Sequence, residues 1–136
     1  MFFAALFGLF RDKAQQRVDQ LLEAVGLEDA ADKRFDRYSS GMKQRLAIAR
    51  GLIHSPQILF LDEPGRSLDT DAKQNVYNLI LKLNKTNGMT VFLISHDKAE
   101  VDTLCTRVGI MRGGAFEIQT WLNWCRRWKR FDHEEI

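Results

Sequence analysis

Two cysteines, two prolines and not one glycine followed by lysine occur in the 136 residues, and each scarcity rules something out. Cys105 and Cys125 stand in no metal-ligand or redox spacing, which excludes a zinc ribbon, a Cys-x-x-Cys centre and a disulfide framework; both are expected as thiols in a cytosolic protein. Without Gly-Lys there is no phosphate-cradling loop of the form Gly-x-x-x-x-Gly-Lys-Ser/Thr. An excess of one charge is also lacking. A net charge of +2 with 28% charged residues gives no basic face, so nucleic acid is not an expected partner. No apolar run reaches the roughly 20 residues of a membrane span. The opening Met1 to Phe10 is about half that length and has no basic residues ahead of it, a poor match to a signal peptide or an anchor.

The two prolines punctuate one stretch. Ile58-Leu59-Phe60-Leu61 lies between Ser55-Pro56 and Pro64-Gly65 and stops at Asp62-Glu63. An unbroken apolar run of this kind suits a strand buried on both faces of a parallel sheet, with the two acids at its carboxyl end, where open α/β sheets bind ligands. Successive side chains of a strand point to opposite sides, so one acid can hold a cation while the other faces a second reactant. In phosphoryl transfer Asp62 would hold Mg²⁺ and Glu63 would orient or deprotonate the attacking water. The plainer alternative is a strand ending in solvated acids.

Two further segments bear on the choice: Tyr38-Ser39-Ser40-Gly41-Met42-Lys43-Gln44-Arg45 upstream, and Val91-Phe92-Leu93-Ile94-Ser95-His96-Asp97 downstream. In this order and spacing the three segments resemble the signature motif, the Walker B motif with its D-loop, and the switch histidine of the ATPase subunits of ABC transporters. The resemblance runs from about Phe2 to Gln119. It implies ATP and Mg²⁺ as ligands, Asp62 as the metal ligand and Glu63 with His96 as the catalytic pair. It further implies that Ser39 and Gly41 contact the γ-phosphate of ATP held by an opposite subunit, that Ser40 between them and Asp69 belong to the same nucleotide-binding set, and that Asp69 lies in the D-loop along the dimer contact. The implied partners are a transmembrane permease and a second nucleotide-binding subunit, at the cytoplasmic face of the membrane. Ser40 stands where glycine is usual and Met42 where glutamine is usual, and this Tyr-Ser-Ser-Gly-Met form resembles the exporter branch. In the family a Phe-Phe-Ala-Ala-Leu run like Phe2 to Leu6 lies inside the chain. Because the P-loop, the base-stacking β-subdomain and the glutamine loop are missing, the expectation is the carboxyl-terminal half of such a subunit.

The expected fold is α/β: part of a P-loop NTPase-like parallel sheet with flanking helices, plus a helical signature subdomain. Residues 1–54 would form that subdomain, 55–119 the α/β core half and 120–136 a tail. Asp12 is placed to cap a helix with an apolar stripe of Val18, Leu21, Leu22 and Val25, and Gly26 to end it. Leu27 to Arg37 reads as an irregular loop. Ser39 or Ser40 can cap a helix from about Gly41 to His54, whose free N–H groups make an anion site; alternatively it is an ordinary capped helix with Lys43, Arg45 and Arg50 as a solvated face. Asp69 caps a helix bearing Ala72, Val76, Leu79, Ile80 and Leu83, and Thr90 to Ser95 forms a second buried strand. Asp97 and Glu100 have capping-box spacing. Arg107 to Met111 and Ala115 to Gln119 flank a Gly113-Gly114 hairpin turn. In the tail Trp121, Trp124, Cys125 and Trp128 share a helical stripe among arginines, suited to packing on the chain's own sheet, to a partner or to a membrane surface. Two other functions stay open: a non-catalytic interaction piece of the same fold, and a chromosome-maintenance or DNA-repair ATPase head, which would need flanking heptads that the sequence lacks.

Overall fold

A computed structural model of the chain describes residues 11–120. The apolar opening and the tryptophan stripe lie outside the described residues. The chain divides into two compact units after His96.

The first unit begins with α1 (Arg11–Ala24), in which Leu21 is buried, as is Val25 just beyond its end, with Val18 and Leu22 half-buried, as the stripe requires. Asp12 lies inside the first turn rather than at the cap; the chain is already helical at Arg11, so the carboxylate acts on the positive end of the helix as a charge. Gly26 ends α1 in the left-handed region, at φ +64°. Its N–H donates to Glu23 O and that of Leu27 to Leu22 O, at 3.0 and 2.8 Å, the paired bonds of a Schellman motif. The connection to the next helix is less irregular than expected: short 3₁₀ turns at Glu28–Ala30 and Phe35–Arg37 are tied by Tyr38 Oη donating to Ala30 O at 2.7 Å.

Helix α2 (Ser40–Gly51) settles the cap in favour of Ser39, whose Oγ accepts from Met42 N at 3.2 Å. Two arginines lock α1 and α2 in antiparallel contact. Arg17 of α1 donates to Leu52 O (2.7 Å), Ile53 O (3.3 Å) and Ser55 Oγ (2.9 Å) just beyond α2. Arg45 of α2 donates to Val25 O (3.0 Å) and Gly26 O (2.8 Å) at the end of α1. Each guanidinium thus satisfies the orphan carbonyls and the negative dipole end of the other helix. The solvated-face alternative fails for Arg45, because a helix terminus with free carbonyls lies within its reach. A Cβ on Gly26 would come within 3.1 Å of Arg45 Nη1, so this glycine both turns the chain and leaves room for the guanidinium.

Strand β1 (Ile58–Asp62), helix α3 (Thr70–Asn87) and strand β2 (Thr90–Ile94) form a β–α–β unit with the strands parallel, Ile58 opposite Thr90 through Asp62 opposite Ile94. Asp69 Oδ1 caps α3 by accepting from Ala72 N at 2.8 Å, and Gly88 (φ +60°) ends it. Val76, Tyr77, Leu79, Ile80 and Leu83 bury its inner face. The strands are not buried on both faces. Leu59 and Leu61 point inward, but Ile58 and Phe60 are 50% and 69% exposed, and Phe92 and Ile94 of β2 also lie open. A continuous apolar run fits either arrangement, since only the elements stacked on a sheet decide which face is covered.

The second unit holds α4 (Lys98–Leu104), capped by Asp97 Oδ1 accepting from Ala99 N at 2.9 Å, and the antiparallel hairpin of β3 (Arg107–Arg112) and β4 (Ala115–Thr120). Gly113 and Gly114 both take positive φ, +53° and +80°, the type I′ geometry that a two-residue hairpin demands. Val101 and Val108 form its core with Cys105 and Ile110 against them. Burial, with the Glu100 carboxylate adding to it, pushes the Cys105 thiol above its usual 9.0.

Two expectations follow. Arg45→Ala should lower stability by about 1.5–3 kcal/mol, the range for hydrogen bonds to a charged group; a denaturant midpoint moved no further than for an exposed-residue control would contradict the crossed caps. The raised thiol value means the folded state keeps its Cys105 proton after the unfolded state has lost it. The stabilisation is therefore complete below pH 9.0 and is lost as pH rises above it. On a Cys125→Ser background, Cys105 should react with an aromatic disulfide reagent more slowly than a free thiol at the same pH, and reaction at the free-thiol rate would refute its burial.

Candidate functional site

The site is built where β1 and β2 end side by side. At Glu63 the backbone leaves the extended region for φ +44°, yet its N–H still donates to Ile94 O at 2.8 Å, carrying the parallel ladder one residue past β1. The turn that follows is tight: Pro64 and Gly65 are buried, Arg66 N donates to Glu63 O at 3.0 Å and Leu68 N to Gly65 O at 3.3 Å. Ser67 is also left-handed, at φ +60°. Non-glycine residues in this region cost of order 1–3 kcal/mol each and gather at functional sites.

Asp62 and Glu63 receive different surroundings. Asp62 is exposed on the open face shared with Ile58 and Phe60. The Glu63 side chain is only 24% exposed and lies between two partners: its Oε1 is 2.6 Å from His96 Nδ1 and its Oε2 is 3.1 Å from Arg66 Nη1. The carboxylate accepts, so the proton belongs on Nδ1 of the imidazole. The contact to Arg66 is an ion pair without an aligned hydrogen bond, and Oε2 is buried with no other partner. His96 itself is 79% exposed. The solvated-acid alternative therefore describes Asp62 and fails for Glu63.

Ser39, Ser40, Gly41 and Asp69, also expected at the site, come together elsewhere. Ser39 caps α2, Ser40 is exposed in its first turn, and Gly41 is buried where an added Cβ would come within 3.0 Å of Ala72 Cβ. The start of α2 is thereby pressed onto the start of α3, beside the cap that Asp69 forms on Ala72. Ser39, Ser40, Gly41 and Asp69 thus share one junction and Glu63 and His96 another, linked by the turn from Pro64 to Leu68. Among the described residues, no hydrogen bond joins Ser39, Ser40 or Gly41 to Glu63 or His96, and no cluster of three His, Cys, Asp or Glu could hold a metal unaided. A cavity of about 310 Å³, lined by Arg45, Asn75, Asn78 and Lys82 among others, contains none of these residues. Sequence reasoning missed Arg66. Its one signal was a cation three residues after Glu63 across a Pro-Gly turn.

The sequence model of the ABC transporter family matches residues 3–66. The chain is 37% identical over 128 residues to the linearmycin resistance ATP-binding protein LnrL of Bacillus subtilis (strain 168), covering 93% of this chain and 41% of that protein. It is 40% identical over 109 residues to the methionine import ATP-binding protein MetN 1 of Listeria monocytogenes serotype 4b (strain F2365), covering 80% of this chain and 32% of that one. A solved structure described as an inward-facing conformation of a metal-chelate type ABC transporter matches with a TM-score of 0.79 at 24% identity, over 84% of this chain and 46% of its own, a likeness of fold. The chain therefore spans less than half the length of each of these relatives.

The strain at the turn can be measured. Ser67→Gly, which removes the Cβ at φ +60°, should raise stability by about 1 kcal/mol. A loss of stability instead would mean that the Ser67 side chain, not the backbone, holds the turn.

Proposed function

We propose, from the premise that the chain belongs to the ABC transporter family of ATP-binding proteins, that it carries the Walker B, signature and switch portions of an ATPase subunit. The observation that carries this reading is the 2.6 Å contact between Glu63 and His96 at the adjoining carboxyl ends of parallel strands. In this role Glu63 takes a proton from the attacking water, while His96, as an imidazolium, fixes the carboxylate through Nδ1–H and donates its Nε2–H to the γ-phosphate.

Asp62 fits a Mg²⁺ ligand because it is an exposed carboxylate at a strand end, and Mg²⁺ is commonly held by one or two carboxylates with substrate phosphates. When bound, the ion would neutralise charge on the transferring phosphoryl group. Ser39 and Ser40, with the first-turn N–H groups of α2, fit phosphate oxygens: the Ser39 hydroxyl accepts from Met42 N and still has its own hydrogen to donate. Gly41 permits the close approach of α2 to α3 that sets this turn beside Asp69. Since no glycine precedes a lysine in the sequence, the main grip on the phosphates belongs to residues outside these 136, on this or another polypeptide.

The partners in this reading are that P-loop segment, a second nucleotide-binding subunit facing the signature turn, and a permease at the cytoplasmic face of a membrane. Among the described residues no helix is long and apolar enough to cross a membrane. Export is the direction we favour, supported by the Tyr-Ser-Ser-Gly-Met signature and by the likeness to a linearmycin resistance ATP-binding protein over 93% of the chain. Import is the second reading, favoured by 40% identity to a methionine import protein.

Phosphate release should be measured after the chain is combined with a P-loop-bearing segment. Glu63→Gln should abolish turnover while nucleotide binding persists, and His96→Ala should lower turnover by roughly 10². Turnover indifferent to Glu63 would replace this reading with a non-catalytic interaction piece. Without that segment the chain should bind Mg-ATP no better than about millimolar, the range left when few contacts grip the phosphates; micromolar affinity by titration calorimetry would contradict the division of the site.

A further inference from the structure

We infer that Arg66 is a positioning residue, a latch on Glu63 that a polyphosphate releases; the inference rests on the role proposed above for Glu63. Both carboxylate oxygens of Glu63 are engaged, Oε1 by His96 at 2.6 Å and Oε2 by Arg66 at 3.1 Å. Oε2 still has lone pairs to offer but is buried in this arrangement, and Oε1 is taken up by His96, so water has no accessible oxygen to approach. One of the two oxygens has to be uncovered before Glu63 can act as a base.

The structure indicates which. The His96 contact is short and joins the ends of two paired strands. The Arg66 contact is longer and lacks an aligned hydrogen bond, leaving Oε2 buried beside a cation but not properly bonded to it. Arg66 is 75% exposed, so its guanidinium can swing out without disturbing packing. An ion pair with one exposed partner contributes only about 0–1 kcal/mol, so a competing anion need not be strong. Phosphate is the competitor that suits arginine, because its planar fork matches two phosphate oxygens at once. A polyphosphate arriving at the strand ends therefore draws the guanidinium from Glu63 to itself. That single movement opens Oε2 to water and adds a cation beside the phosphates. The base stays engaged until its substrate is present.

The isolated chain gives the first test, by NMR of the arginine guanidinium groups during titration with inorganic tripolyphosphate. Arg34 is an internal control, since it is similarly exposed and its Nη2 also lies 3.1 Å from a carboxylate, Asp36. Arg66 signals should shift at concentrations that leave Arg34 unmoved, and Glu63→Gln should speed rotation of the Arg66 guanidinium. Parallel shifts of both arginines, or rotation unchanged in Glu63→Gln, would overturn the latch. The second test uses the hydrolysing assembly. Arg66→Ala should raise KM for ATP several-fold without lowering kcat, and Arg66→Lys should restore part of the KM. A fall in kcat at unchanged KM, or no change in either, would overturn it. Turnover that survives Glu63→Gln would instead sink the role of Glu63; turnover lost there while Arg66 is inert would sink only the latch.

Discussion

The parallel pairing of β1 with β2 is the constraint on which the rest depends. Glu63 and His96 are far apart in sequence and come together only because Asp62 is opposite Ile94 and the Glu63 N–H continues the ladder to Ile94 O. A slip of one residue would send each strand's inward side chains to the other face and carry Glu63 away from His96. Leu59 and Leu61 hold the register from one side, since they must be buried while Ile58 and Phe60 stay out. Helix α3 adds a buried face of its own, Val76, Leu79, Ile80 and Leu83. The site is thus positioned by packing that has no chemistry of its own.

Around that ladder the chain places two polar devices. The crossed arginines, Arg17 beyond the end of α2 and Arg45 at the end of α1, join the helices through carbonyls that would otherwise lack partners. The close seat of Gly41 on Ala72 then joins α2 to α3, which follows the turn from Pro64 to Leu68. The start of α2 and the Glu63–His96 pair are therefore connected through α3 and the turn that precedes it. In the ABC transporter reading those two groups serve different bound nucleotides, which agrees with their lying at separate junctions.

Much of this was legible in the sequence because it is local. The caps at Asp69 and Asp97, the stop at Gly26 and the hairpin at Gly113-Gly114 each depend on a few neighbouring residues. The strands were legible from their apolar runs, but not which of their faces would be open, because composition does not record what lies above a sheet. Asp12 was misplaced by one turn position for want of any signal distinguishing a cap from a first-turn acid. Arg17, Arg45 and Arg66 were read as surface or not at all. For the first two, the partners are carbonyls of another helix. For Arg66, the approach to Glu63 accompanies left-handed backbone at Glu63 and Ser67, and the glycine of that turn, Gly65, does not mark either position.

The central claim, that the strand pairing brings Glu63 and His96 into direct contact, is tested most directly by a double-mutant cycle on folding stability. Glu63→Gln, His96→Ala and the double variant would be compared with the unaltered chain by denaturant unfolding at neutral pH. The account predicts a coupling energy of at least about 0.5 kcal/mol between the two sites, as for residues that touch. Additive effects, with coupling indistinguishable from zero, would contradict it.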